Sequence, residues 1–342
     1  MAQINKPSEY FNTKLYVGTS ATNSVTGVGF QPDFVWIKDR DRVTYHFLFN
    51  AISGATNWLA TNTTGAEQTF ADTLTSFNSD GFTLGTNGDV NGSSYNFVGW
   101  SWKANGAGVS NTDGSITSTV SANTTAGFSI VSYTGTGANA TVGHGLGVAP
   151  SMVICKSRTT AEGWGCYHKS LGATKLIYLN ETSVPSTLST YWQDTAPSST
   201  VVTLGSNHAP NEIGTMIMYC FAEKKGFSKF GSYTGNGSTD GTFVYTGFKP
   251  AWLLVKRTDS ARSWKLLDNK RDAYNDGTGA NLNVDESATE DDNASYAVDF
   301  LSNGFKIRNA NSNFNISSGS YIYMAFAENP LVGTNNIPTT AR

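Results

Sequence analysis

Five carboxylates crowd one stretch of this sequence: Asp285, Glu286, Glu290, Asp291 and Asp292. Oxygen ligands so close together suit a hard cation, so a surface Ca2+ site is the sharpest metal chemistry they offer. The stretch lacks the glycine and terminal glutamate spacing of a helical calcium loop. A solvated acidic loop is the competing and favoured reading, and no other cofactor is expected. Trp58, Trp164, Trp192 and Trp264 fall outside the apolar runs. Half-exposed indoles beside Asn and Asp could stack on sugar faces, which makes these four the candidate glycan-binding residues. Packing is the stronger competing reading for them.

Catalysis finds less support. The histidines are His46, His144, His168 and His208, and none sits in a nucleophile elbow, a phosphate loop or a metalloprotease helix. Carboxylates are too many in loops for one glycosidase pair to stand out. Cys155, Cys166 and Cys220 form no CxxC and no Cys/His zinc spacing, and read as buried free thiols. The expectation is a protein that is not an enzyme, with no catalytic residues.

A net charge of −3 and scattered lysines and arginines give no basic field for nucleic acid. No stretch reaches the eighteen apolar residues of a membrane helix, so no membrane insertion is expected. The start, MAQINKPSEY, lacks the apolar core of a secretory signal, which points to synthesis in a cytoplasm.

The elements that must position these residues are written in a phrase that occurs three times. GFQPDFVWIK (29–38), GLGVAPSMVICK (145–156) and GFKPAWLLVK (247–256) each run from a glycine–proline turn into an apolar strand ending in lysine. Intervals of roughly 100 residues are too long for a solenoid repeat and suit a whole β-sandwich. YTGTGANATVGHGLGVAP (133–150) matches YTGNGSTDGTFVYTGFKP (233–250) without a gap, and YVGTSATNSVTGVGFQP (16–32) is the shorter first copy. Each copy closes on an aromatic strand: YNFVGWSW (95–102), TMIMYCF (215–221) and YIYMAF (321–326). SFNSDGFTLGTN (76–87) and FLSNGFKIRNAN (300–311) read as hairpins around Asp-Gly and Asn-Gly.

The fold class is therefore all-β: three tandem related antiparallel β-sandwich modules, jelly-roll or lectin-like. The expected boundaries are an N-terminal docking arm (1–14), a first module (15–102), a Gly/Ser/Thr-rich linker (103–126), a second module (127–224), a third (225–328) and a C-terminal arm (329–342). A turn of helix is expected near Ala66–Phe77. The short AEKKG junction predicts that the second and third modules form a tight pair, with the first more independently placed. Lys38, Lys156 and Lys256 read as solvated lysines that blunt strand ends.

INKPSEYFNTKLYVGTS (4–20), GVGFQPDFVWIK (27–38), SITSTVSANTTAGFSIVSYTGTG (115–137), KFGSYTGNGSTDGTFVYTGFKPAWLLVKRTD (229–259) and YIYMAFAENP (321–330) carry a resemblance. Together they resemble a repeat-bearing family of unknown function from virion genes of marine tailed bacteriophages. The resemblance spans nearly the whole chain. It implies a virion structural component, either tail-fibre-like or decorating the capsid, with lectin-like sandwiches and no catalytic residues to carry over. Without a heptad stem, capsid decoration or a head appendage is favoured over a tail fibre that adheres to host surface glycans. The implied partners are other phage virion proteins and a host glycan. A homo-oligomer is expected, a trimer being suited to a phage appendage, in a virion assembled in the host cytoplasm.

Overall fold

The structure is a computed structural model, and it describes residues 3–272 and 275–327. Short runs of β-branched and aromatic residues between Gly, Asn and Asp turns make strand its dominant regular element. Among the described residues, helix is confined to single turns such as Gly88–Asn91, Ser189–Trp192 and His208–Asn211. The all-β class is what the chain adopts.

Each repeated phrase becomes a strand: Phe34–Asp39, Met152–Ser157 and Pro250–Arg257. The sheet around it has the same order each time. An opening strand (Phe11–Val17, Phe128–Gly135 or Ser228–Thr234) is followed by the closing strand (Asn96–Trp102, Gly214–Phe221 or Ser320–Ala327), and then by the phrase strand. Three further strands continue the sheet. The last strand in sequence thus returns to pair between the first strand and the phrase, antiparallel to both. Each large sheet backs onto a small one, and the expected hairpins lie there. Asn78 pairs with Gly81, and Leu301 with Gly304.

Side-chain alternation explains why the phrase strands are apolar without interruption. Val35 and Ile37, Val153 and Cys155, and Leu253 and Val255 face the small sheet of their own pair. Their neighbours Phe34 and Trp36, Met152 and Ile154, and Trp252 and Leu254 all enter one cluster common to the three large sheets. A strand buried on both faces reads as a continuous hydrophobic run. Aromatic edges knit this centre: Phe34 lies 4.8 Å from Tyr219, Phe221 6.0 Å from Phe326, and Trp102 5.6 Å from Trp252. Each large sheet therefore packs on both of the others.

That centre corrects several expectations. The first third is not independently placed, because Trp36, Trp100 and Trp102 supply a large share of the common core. Residues 103–126 are not a free linker. Strands Val109–Asn111 and Ser118–Asn123 extend the middle sheet from its opening strand, with Val120 opposite Val131 and buried. The N-terminal residues are not a docking arm. Ile4 donates its N–H to the Lys225 carbonyl at 3.0 Å, and Phe11 stacks on Phe326 at 5.3 Å, because both are apolar residues that the centre can bury. The helical turn expected near Ala66–Phe77 is strand instead, Gln68–Thr69 and Leu74–Asn78. The expected C-terminal arm (329–342) lies outside the described residues.

Candidate functional site at the seams between sheets

Lys38, Lys156 and Lys256 are fully buried, not solvated. Each lies two residues beyond Trp36, Ile154 or Leu254, so alternation turns it to the inward face at the rim of the common core. Main-chain carbonyls receive the ammonium there. Lys38 Nζ donates to Asp39 O at 2.7 Å, Arg42 O at 3.2 Å and, in the C-terminal sheet pair, Ser287 O at 3.3 Å. Lys256 Nζ donates to Arg262 O at 2.7 Å and crosses to Thr182 O of the middle pair at 3.0 Å. Lys156 Nζ donates to Ser157 O at 2.7 Å and Thr160 O at 3.3 Å. Burial pushes all three amines down to about 8. They are still charged at neutral pH.

Two further sets of contacts run around the three seams, one in the same sense as the lysines and one against it. Trp164 Nε1 donates to Ala60 O at 2.9 Å, and Trp264 Nε1 to Tyr178 O at 2.9 Å. The matching place in the first sheet is His46, whose ring faces the Asn283 backbone without closing a hydrogen bond of ordinary geometry. Burial, with the Lys38 charge, holds that imidazole well below its usual value. In the opposite direction, Asn50 Nδ2 reaches the Tyr219 hydroxyl at 3.3 Å and His168 Nε2 meets Tyr323 O at 3.2 Å. Trp100 Nε1 donates to Asp268 Oδ2 at 3.0 Å. Burial lowers His168 to about 4, so it is neutral at physiological pH.

The four tryptophans proposed for glycan stacking are all buried. A tryptophan outside an apolar run is not thereby exposed, since its N–H can be carried inside to a carbonyl. Trp164 and Trp264 sit at seams as described. Trp192 Nε1 donates to Lys175 O at 3.0 Å, and Trp58 packs 4.6 Å from Phe47. None presents a face for a sugar.

The five acidic residues do not converge on a cation either. Asp285 accepts the Trp264 backbone N–H at 2.8 Å, the same bond that Asn180 accepts from Trp164 and Asn62 from His46. Glu290 pairs bidentately with Arg40 and also holds Arg271, as Glu67 pairs with Arg158. Glu286 is taken by Ser263 and Asn283. Asp291 and Asp292 are exposed on a short edge strand. Structural hydrogen bonds and ion pairs thus engage Asp285, Glu286 and Glu290.

Sequence reasoning missed a second polar repeat. Asn-x3-Asn occurs as NGDVN (87–91), NHAPN (207–211) and NSNFN (311–315). The first Asn of each caps a tight turn, accepting from Asp89, Ala209 or Asn313 N–H. The last Asn is buried and clamps the loop after the opening strand. Asn91, Asn211 and Asn315 accept the N–H of Thr19, Thr136 and Asn236, and donate to Ala21, Ala138 and Ser238 carbonyls. The tyrosine of the Tyr-x-Gly segment closes the lock: Tyr16, Tyr133 and Tyr233 donate to Val90, Pro210 and Phe314 carbonyls at 2.6–2.8 Å. The glycine is required by space, since a Cβ on Gly18, Gly135 or Gly235 would stand 1.9–2.3 Å from a carbonyl oxygen beside that turn. The signal was present in the fixed pairing of Tyr-x-Gly with Asn-x3-Asn.

An open feature lies on the surface. A cavity of about 320 Å³ at the junction of the middle and C-terminal sheet pairs is lined by Lys224, Lys225, Lys229 and Tyr245, among others. Glu223 on its wall is bridged by Lys169 and Lys229. Tyr245 is 64% exposed.

A family model described as a domain of unknown function, DUF7483, matches residues 6–330. The chain belongs to that family. No curated protein and no solved structure matches it. The family span takes in all three copies of the phrase, so the seams lie within one family unit.

Proposed function

We propose that this protein is a non-enzymatic structural component of a bacteriophage virion surface, a capsid decoration or head-appendage protein. The observation that carries the reading is the fate of the repeated polar groups. The lysine, the clamping asparagine and the tyrosine recur in all three sheet pairs, and each is consumed in fixed hydrogen bonds to backbone or to a neighbouring sheet. What recurs is scaffold. The sequence resemblance to virion proteins of tailed phages gives that scaffold its setting, with other virion proteins as partners. Immunogold labelling of particles tests it. Label over the whole capsid is expected; label confined to the tail end, or absent from virions, refutes decoration.

The lysine-lined cavity favours a second reading, a tail-fibre-like protein adhering to an acidic host glycan. Cationic amines beside an exposed tyrosine ring suit a carboxylated sugar. Saturation-transfer NMR with acidic host polysaccharide, repeated on Lys225→Glu, separates the two. Transfer that the substitution abolishes supports adhesion, and no transfer refutes it.

A further inference from the structure

We propose that Glu162, His208 and Glu212 form a binding site for a divalent transition-metal cation of the Zn2+ class. One oxygen from each carboxylate and one imidazole nitrogen lie within 4.8 Å of one another. Small side-chain rotations bring three such atoms to the roughly 2.0–2.2 Å that zinc takes from nitrogen and oxygen. Two elements build the set. His208 and Glu212 stand one turn apart across His208–Asn211, where the Asn207 cap fixes the backbone and His208 Nδ1 contacts Glu212 Oε2. Glu162 arrives from the loop between the phrase strand and strand Gly165–His168.

The same junction in the other two sheet pairs shows what is missing here. Gly88, His208 and Ser312 hold one place, directly after the first Asn of the Asn-x3-Asn turn. In the first pair, Arg42 from the facing loop donates to the Gly88 carbonyl. In the third, Arg262 donates to the Ser312 hydroxyl at 3.0 Å. Arginine supplies the cation in both. The middle pair brings two carboxylates and an imidazole together instead, and the nearby Lys156 ammonium is taken by Ser157 and Thr160 carbonyls. A bound dication supplies the charge that the arginines supply elsewhere. The imidazole selects for zinc-like ions over Ca2+ and Mg2+, which prefer all-oxygen sets. His208 is 71% exposed, so the ion has a path in, and three protein ligands leave a coordination position open.

The rival account is a protonated His208 bridging both carboxylates with no metal. Calorimetric titration of the chelator-stripped full chain with ZnCl2 decides between them, with CaCl2 as the control. One Zn2+ per chain is expected, with affinity at least about tenfold weaker in His208→Ala and in Glu162→Gln, a loss of about 1.4 kcal/mol or more. Zinc should also raise the melting temperature of the wild type but not of His208→Ala, whose exposed side chain leaves the fold intact as read by circular dichroism. No zinc binding, or binding undiminished in both variants, overturns the proposal.

Discussion

Trp264 donates its indole N–H to the Tyr178 carbonyl across 2.9 Å, tying the C-terminal sheet to the middle one, as Trp164 ties the middle sheet to Ala60 of the first. Both indoles are buried, so each bond satisfies a donor that water would not reach.

Replacing Trp264 with Phe keeps much of the packing but leaves the Tyr178 carbonyl without this donor. A loss of about 1–3 kcal/mol is expected, read as a lower urea midpoint with unchanged slope. A variant as stable as the wild type would show the seam bond to be dispensable.

The buried lysines give the chain a distinctive alkaline behaviour. Their pKa is lowered in the folded state, so between about pH 8 and the ordinary 10.5 the unfolded chain binds more lysine protons, and stability from this source rises with pH. Burial raises the thiols, Cys155 to about 12, which pulls the opposite way above about pH 9. The diagnostic is therefore the difference between wild type and Lys156→Met. Urea titrations at successive pH values above 8 should give the variant a stability slope lower by up to about 1.4 kcal/mol per pH unit. Equal slopes would mean that Lys156 keeps its ordinary pKa.

Asn211→Ala removes the clamp on the loop after Phe128–Gly135, with its bonds to Thr136, Ala138 and Gly205. Destabilisation on the order of 3 kcal/mol is expected. Amide exchange should accelerate first at Thr136, well before the common core opens. Uniform loss of protection would contradict a local clamp.

Glu290 is half of an acid-sensitive fastening. Burial alone would raise its pKa, but the hydrogen bonds and charges of Arg40 and Arg271 outweigh burial and hold it below the usual carboxylate value. That contribution is present above about pH 4.5 and lost as pH falls through the lowered folded value. Glu290→Gln should cost about 3 kcal/mol at neutral pH, because Arg271 is left buried with one partner fewer. The same variant should lose less stability than the wild type on acidification below pH 4.5. Parallel acid limbs would refute the role.

The phrase strands and the Asp-Gly and Asn-Gly hairpins were legible because their signals are local: a continuous apolar run, and a turn that favours glycine. Lys38 was misread because charge alone places lysine at a solvated end, whereas alternation from Trp36 places it inward. Asp285 and Glu290 looked like a cluster because they are close in sequence. Only the register of the neighbouring sheets shows that Asp285 matches Asn180 and Asn62, and that Glu290 matches Glu67. Residues 103–126 lack hydrophobic alternation, so their pairing depends on an edge that Phe128–Gly135 offers from outside the segment.

The seam between first and last sheets, where Arg40 meets Glu290 and Phe11 meets Phe326, joins parts of the chain made far apart in translation. The aromatic centre cannot be completed until Phe326 has left the ribosome, so the nascent first sheet waits with one face uncovered. Contacts of such sequence separation make folding slow. Removal of any one of the three large sheets would open that centre to water.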